Sequence, residues 1–188
     1  MARTGRVTGA PAPDDAIRPM TAADVADVAA LHARSWQTAY RGIFSDAYLD
    51  TEALANRRAH WARRFSPPRD TEAGLVASHA DRLVGFAYLV SDADPGRGTL
   101  LDNLHVAPDA RGHGLGRRLL AEAEALVVAR GWPRGLHLWV YEANAGARRF
   151  YERHGGVVVD RERYDSAEGR AHPAVCYHWP ASGAIAVP

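Results

Sequence analysis

The chain of 188 residues carries 23 lysines and arginines against 22 aspartates and glutamates, which predicts one domain of nearly balanced charge. General nucleic-acid binding needs a basic excess on one face, so we expect no nucleic-acid partner. The single cysteine, Cys176, excludes an internal disulfide and a cysteine-rich zinc site. No apolar run reaches the roughly 18 residues that cross a bilayer, and no apolar region follows Arg3 and Arg6 as in a signal peptide. We therefore expect a soluble cytoplasmic protein with no membrane partner.

The first part of the chain is predicted to form a tail, a strand and then helices. Small, polar and proline-rich residues before the strand predict a flexible tail. The spacing Thr21-x-x-Asp24 is that of a capping box and begins a run of apolar residues at helical spacing. Asp50 is the expected cap of a later helix. The predicted segments are a tail over 1–15, a strand over 16–19, a helix over about 22–36, a helical turn from Ser45 or Asp46, and a helix over about 51–65.

The apolar pattern then changes to the period of two that is typical of strands. Ala80-Asp81-Arg82 separates two apolar runs and indicates a hairpin, with Gly85 as the expected position of a bulge. The later segments are strands over 73–79, 83–91 and 99–106, a helix that ends before Gly131, a strand over 136–141, a helix over 144–154, strands over 157–164 and 173–179, and a flexible tail over 181–188. The single domain is thus expected to cover residues 16–180.

This order, β-α-α-β-β-β-α-β-α-β-β, predicts an α/β fold with a mixed sheet. Antiparallel hairpins followed by a β-α-β crossover require both strand directions in one sheet. The crossover should be right-handed and place the long helix against one face. Ligands in such sheets bind at the carboxyl ends of strands, beside the loops that open helices.

A glycine-rich loop lies at that position. Gly112, Gly114 and Gly116 precede a helix whose first N–H groups have no intrahelical partner and carry the positive end of the helix dipole. Glycines leave room for a pyrophosphate to reach those N–H groups, and Arg111 and Arg117 add positive charge. The loop therefore predicts binding of a phosphate-bearing molecule. The Gly-Lys-Ser/Thr ending of a Walker loop is absent from this loop.

Two motifs resemble those of the GNAT superfamily of acyl-CoA-dependent N-acetyltransferases. They are Arg111-x-x-Gly114-x-Gly116 after a strand and Val140-x-x-x-Asn144-x-x-Ala147-x-x-x-Tyr151-x-x-x-Gly155. The element order is also similar from about residue 16 to residue 179, which implies a mostly antiparallel central sheet with helices on both faces. The segment Ser35-Trp36 to Ala39-Tyr40-Arg41-Gly42 resembles a group of bacterial members with mostly unassigned substrates.

The resemblance implies that acetyl-CoA lies between the strands that end near Val106 and Val140. The histidine spacing separately predicts no metal site. None of the nine histidines has the paired spacing with acidic partners that zinc hydrolases use. Asn144 is suited to bind the pantetheine amides, to cap its helix, or to do both. The residues implied to bind the cosubstrate are Leu104, His105, Val106, Arg111, Gly112, His113, Gly114, Leu115, Gly116, Arg117, Asn144 and Ala147.

Acetyl transfer to an amine needs a base for the ammonium group and an acid for the departing thiolate. The resemblance implies that Tyr151 is the acid. The base stays open, because apolar Leu100 stands where related sequences often carry glutamate. Asp102 should share a strand face with Leu100 by alternation. The candidates, in order, are Asp102, His137, His105 and Glu142, and water is a further alternative.

Aromatic residues near the second helix occupy the region where the family forms its acceptor pocket. The pocket candidates are Trp36, Tyr40, Phe44 and Trp139. The arginines at 57, 58, 63 and 64 are expected to form a solvated helix face, and attraction of an acidic substrate is the alternative. The predicted activity is acetyl transfer from acetyl-CoA to a primary amine of a small molecule, an amino acid or a peptide by direct attack, with a homodimer as a further expectation by analogy. A CoA-binding regulatory module with little turnover is the alternative.

Overall fold

A computed structural model describes residues 16–66, 69–94, 96–133 and 135–180, so the two predicted tails lie outside the described residues. The strands are β1 (Ala16–Pro19), β2 (Glu72–His79), β3 (Arg82–Asp94), β4 (Gly98–Val106), β5 (Leu136–Tyr141), β6 (Val157–Asp165) and β7 (Ala171–Trp179). They form one sheet in the order β1-β2-β3-β4-β5-β7-β6. The β4–β5 pair is parallel and its neighbours pair antiparallel. The expectation of a mixed, mostly antiparallel sheet is confirmed.

Helices cover both faces of this sheet. They are α1 (Val25–Ala39), α2 (Asp46–Thr51), α3 (Ala53–Arg64), α4 (Leu115–Ala129) and α5 (Ala145–Arg153). On one face, Trp61 of α3 contacts the rings of Phe86 and Tyr88 in β3. On the other face, α4 packs so closely on β3 that a Cβ atom at Gly85 would lie 2.9 Å from the side chain of Leu119. β3 is buried at most positions because both of its faces are covered.

The local signals in the sequence mark most of the turns and caps correctly. The backbone N–H and the hydroxyl of Thr21 both donate to the Asp24 carboxylate, which confirms the capping box. Ala80 and Asp81 adopt positive φ angles of 47° and 61° in the β2–β3 turn, as a two-residue hairpin requires. The β2–β3 register shifts beside Gly85, where the bulge was expected.

The segment after the aromatic region differs from the sequence prediction in one cap. The helical turn expected from Ser45 or Asp46 forms α2, and the helix expected over about 51–65 forms α3, whose N-cap is Glu52. Ser45 caps the first of them, since its hydroxyl accepts a hydrogen bond from the backbone N–H of Tyr48. Asp50 lies inside α2, where its carboxylate pairs with Arg41 across the turn. The assignment of Asp50 as a cap is therefore wrong.

The feature that positions the site is the separation of β4 from β5. The two strands pair only through Thr99 with Leu136 and Leu100 with His137. A bulge at Asp102 adds to the separation, because the register against β3 moves from Leu101 opposite Leu89 to Asn103 opposite Tyr88. The carboxyl-terminal halves of the two parallel strands are thereby left apart.

Candidate active site

A cleft of about 1200 Å³ lies between the diverging strands. It is bounded by α1 and α3 on one side and by the loop before α4 and the start of α5 on the other. The predicted site residues that line it are Trp36, Tyr40, Asp102, Leu104, His105, Val106, Arg111, Gly112, Gly114, Leu115, Gly116, Arg117, Trp139, Asn144, Ala147 and Tyr151. The predicted residues that do not line it are Phe44, His113, His137 and Glu142.

The glycine-rich loop ends at the N-terminus of α4. Gly112 and Gly114 have φ angles of +88° and +81°, which only glycine adopts readily. Gly114 is the N-cap, and its carbonyl accepts the first helical bond, from the N–H of Arg118. The N–H groups of the first turn of α4 precede this first helical bond and lie at the positive end of the helix dipole. This geometry fits a pyrophosphate.

The two walls beside this loop suit an extended ligand. In the described residues, β4 has no strand partner on its β5 side beyond Leu100. The backbone of Leu104–Val106 is thus an open strand edge inside the cleft, and Arg111 Nε donates to the Val106 carbonyl at 3.1 Å. Across the cleft, the side-chain oxygen of Asn144 accepts from the N–H of Ala147 at 3.2 Å and caps α5. The amide nitrogen of Asn144 is not used by this cap.

Tyr151 lies on α5 and is 8% exposed. Its ring packs against those of Tyr177 and Trp179, which fixes its direction from the helix. Burial raises the pKa of its hydroxyl. The phenol is therefore protonated at neutral pH and is able to donate a proton.

Asp102 reaches the cleft as the extra residue of the β4 bulge. Simple alternation places Asp102 on the same strand face as Leu100, but the bulge interrupts that alternation. Leu100 lies opposite Val90 and Asn103 lies opposite Tyr88, and these two β3 residues share a face, so Asn103 shares the face of Leu100 instead. Arg64 Nη1 donates to Asp102 Oδ2 at 2.6 Å, and the Asn103 amide donates to the same oxygen at 2.7 Å. The Asp102 side chain is 30% exposed, on the cleft side. Desolvation by the surrounding cleft raises its pKa, although the Arg64 guanidinium opposes the shift.

The other base candidates are less well placed. His137 is 2% exposed and lies where β4 and β5 are still paired, near Asp94 and Arg97 and outside the cleft lining. Burial lowers its pKa. His105 does line the cleft, but burial lowers its pKa to about 3. Glu142 lies outside the cleft lining and its carboxylate pairs with Arg161.

Aromatic rings form the wall on the α1 side. Trp36 and Tyr40 line the cleft, with ring centroids 5.6 Å apart. Phe44 packs behind them, 5.3 Å from the Trp36 ring, and supports this wall from outside the cleft. Trp139 lies on the opposite wall with Tyr164, whose ring centroid is 5.9 Å away.

Arg57, which the sequence analysis assigned to a solvated helix face, lines the cleft. It is 8% exposed, and its guanidinium lies 4.0 Å from the centroid of the Trp36 ring. The expectation of a solvated helix face holds for Arg58 and Arg63 and is wrong for Arg57 and Arg64. The signal was present in the spacing, because both residues lie one turn from the fully buried Trp61, at i−4 and i+3.

Comparison with known proteins shows which family this chain belongs to. A family model described as the acetyltransferase (GNAT) family matches residues 31–156. The chain is also 30% identical over 142 residues to a probable N-acetyltransferase of Mycobacterium tuberculosis. That alignment covers 73% of this chain and 76% of the relative. The chain belongs to the acetyltransferase (GNAT) family. As a GNAT protein it is an acetyl-CoA-dependent acyltransferase, which confirms the resemblance seen in its two motifs.

Solved structures show the same GNAT fold. A GCN5-related N-acetyltransferase of Rhodopseudomonas palustris superposes with a TM-score of 0.70 at 25% identity, over 90% of this chain and 97% of that one. The PaiA N-acetyltransferase of Thermoplasma acidophilum, solved in complex with coenzyme A, gives a TM-score of 0.68 at 21% identity, over 89% and 99% of the two chains. The predicted fold class is therefore confirmed.

Two structural observations concern metals and membranes. The part of the GNAT chain that the structure describes contains no group of three or more histidine, cysteine, aspartate or glutamate side chains arranged to hold a metal ion. Among the helices in that part, none is long and apolar enough to span a bilayer.

Proposed function

We propose that the protein transfers the acetyl group of acetyl-CoA to a primary amine of a small molecule, an amino acid or a peptide. The supporting observation is that one cleft contains the N-terminus of α4, the open edge of β4, and the side chains of Asp102 and Tyr151. Acetyl-CoA supplies a thioester, and attack by the amine forms a C–N bond while the C–S bond breaks.

The cosubstrate would be held by groups on both walls. The N–H groups of residues 115–117 would bind the pyrophosphate, with Arg111 and Arg117 adding charge. The backbone of Leu104–Val106 would pair with the pantetheine arm, and Asn144 and Ala147 would contact it from the other wall. His113 has no assigned role because it does not line the cleft.

Asp102 would accept the proton of the acceptor ammonium. Both of its hydrogen bonds, from Arg64 and Asn103, fall on Oδ2, which leaves Oδ1 for the amine. A carboxylate whose pKa is raised by desolvation is a stronger base than one with the ordinary value. His137 is not assigned this role because of its place outside the cleft.

Tyr151 would donate its hydroxyl proton to the departing thiolate. Its buried hydroxyl stays protonated until the thiolate forms, since burial raises its pKa. Direct attack by the amine is favoured because Cys176 is buried outside the cleft, and burial raises its thiol pKa to about 11. The chain's one cysteine is thus a poor acetyl carrier.

The test mixes the protein with acetyl-CoA and a panel of primary amines and follows the release of free thiol. We expect release that depends on the amine and exceeds hydrolysis without amine, with a matching acetylated product by mass spectrometry. Calorimetry of acetyl-CoA binding runs in parallel. Tight binding with no thiol release for any amine would contradict the proposal and favour a CoA-binding module.

A further inference from the structure

Arg57 is a charged residue of the cleft whose side chain is buried. Its side chain extends from α3 under the aromatic wall and is 8% exposed, with the guanidinium over the Trp36 ring. Its Nε and Nη2 donate hydrogen bonds to the Asn56 side-chain oxygen, a neutral acceptor. Burying a guanidinium is unfavourable unless an anion compensates its charge.

Among the residues that the structure describes, Arg57 has no such anion in contact with it. Within the described ranges, no carboxylate oxygen lies within 4.0 Å of its nitrogens, whereas Arg64 on the same helix contacts both Glu72 and Asp102. Burial lowers the pKa of Arg57 to about 10, which leaves it charged at neutral pH. The cleft therefore contains a desolvated cation without an ion-pair partner among these residues.

Arg57 lies apart from the phosphate loop. It faces the cleft from α3, which packs on the sheet face that carries Phe86 and Tyr88. The phosphate loop opens α4, which packs on the opposite face. The pyrophosphate is thus not the expected partner of Arg57, which lies on the acceptor side with Trp36 and Tyr40.

Asp102 supplies the opposite charge in the same cleft. Arg57 and Asp102 shift each other's pKa, so they are within electrostatic range, yet they do not form an ion pair. The space between an unpaired cation and a carboxylate suits a ligand that carries both charges. An ammonium would face Asp102 and a carboxylate would face Arg57.

We propose that Arg57 binds the carboxylate of the acceptor, so that the acceptor is a free amino acid or a similar aminocarboxylate. This specificity rests on the acetyl transfer proposed above. Bidentate guanidinium–carboxylate pairs are strong and directional, so Arg57 would also orient the amine towards the thioester. A peptide N-terminus has no carboxylate next to its amine and would be a poor acceptor.

The test compares the twenty common L-amino acids with their carboxamides as acceptors for the full chain with acetyl-CoA. We expect kcat/KM to be about 10- to 100-fold higher for the best amino acid than for its amide, the range of a hydrogen-bonded charge. Arg57→Met should remove this preference by lowering kcat/KM for the acid alone, and Arg57→Lys should restore part of it. Arg58→Met removes the neighbouring exposed charge and should behave as the wild type.

Three outcomes would overturn the assignment of Arg57. The first is an equal kcat/KM of the wild type for amino acid and amide. The second is an equal loss of kcat/KM for both acceptors in Arg57→Met. The third is a loss of the preference for the amino acid in Arg58→Met as large as in Arg57→Met. If no amine is acetylated, the proposed transfer fails separately, and calorimetry with the same amino acids on the CoA-loaded protein decides the role of Arg57. Binding that Arg57→Met abolishes would support the carboxylate site, and absence of binding to the wild type would overturn it.

Discussion

Asp102 shows how one residue is balanced between two opposing influences. Desolvation favours its neutral form, while the Arg64 guanidinium at 2.6 Å favours the carboxylate. Glu72 in turn holds Arg64, and the Tyr88 hydroxyl donates to Glu72, both at 2.9 Å. This chain of contacts fixes the carboxylate at the cleft.

We predict that Asp102→Asn lowers kcat/KM by about 100-fold or more, because the amide cannot accept the ammonium proton. In the wild type, activity should fall as the pH falls through the raised pKa of Asp102, since protonation removes the base. The variant should lose this acid limb of the pH profile. Asp165→Asn changes another cleft carboxyl group and should keep it. An unchanged limb in Asp102→Asn would exclude Asp102 as the base.

Tyr151→Phe tests whether the hydroxyl of Tyr151 donates a proton, because it removes the hydroxyl and keeps the ring. The phenyl ring keeps the contacts with Tyr177 and Trp179, so we expect acetyl-CoA affinity within about twofold and kcat lowered by about 100-fold. Steady-state kinetics and calorimetry measure the two quantities. The control is Tyr177→Phe, which removes a hydroxyl that donates to Glu152 outside the cleft. Wild-type turnover in Tyr151→Phe would assign the proton to water or another group.

At the scale of elements, the start of α4 governs cosubstrate binding. A Cβ atom at Gly116 would lie 3.3 Å from the Phe150 ring, and a carboxylate there would meet the pyrophosphate. We predict that Gly116→Glu weakens CoA binding by at least about 100-fold, through like-charge repulsion and lost charge-assisted bonds. Calorimetry measures the affinity and circular dichroism the fold. Val128→Glu adds the same charge near the other end of the helix and should bind CoA normally.

The elements and the phosphate loop were accessible from the sequence because their signals are local. Capping residues, turn residues and the glycines before α4 determine the backbone conformation of the residues next to them in the sequence. The bulge at Asp102 was not accessible, since it depends on how β4 pairs with β3. The burial of Arg57 depends on the packing of α3 against α1, which only the Trp61 spacing hinted at. Sequence reasoning therefore gave the wrong strand face for Asp102 and the wrong exposure for Arg57, because both depend on tertiary contacts.

For the whole molecule, Asp24 links acid stability to the attachment of β1. It accepts a bidentate pair from Arg18 of β1 and the capping bonds of Thr21. The Arg18 bond chiefly, with those from Thr21, lowers its pKa from 3.8 to about 2 against the opposing effect of burial. A lowered carboxyl pKa stabilises the folded state above the unfolded value, and this contribution is lost as the pH falls towards the folded value.

We predict that the free energy of unfolding falls by about 1–2 kcal/mol between pH 4 and pH 2 through Asp24, discounted for the half-exposed Arg18. Asp24→Asn should make the protein less stable at pH 7 and flatten this part of the curve. Urea unfolding at several pH values measures both effects. Asp27→Asn, at an exposed position on α1, is the matched control. Equal slopes for Asp24→Asn and the wild type would refute the assignment.

The narrow junction between β4 and β5 has a consequence for the continuity of the sheet. Among the described residues, the sheet pairing between strands β1–β4 and strands β5–β7 consists of Thr99 with Leu136 and Leu100 with His137. A pantetheine arm bonded along Leu104–Val106 would serve as the missing neighbour of β4 there. We therefore expect the amide hydrogens of Leu104 and Val106, which alternation directs away from β3, to exchange quickly in the free protein and at least tenfold more slowly with CoA bound, while those of β7 change little. The cosubstrate would then be a temporary part of the sheet as well as a reactant.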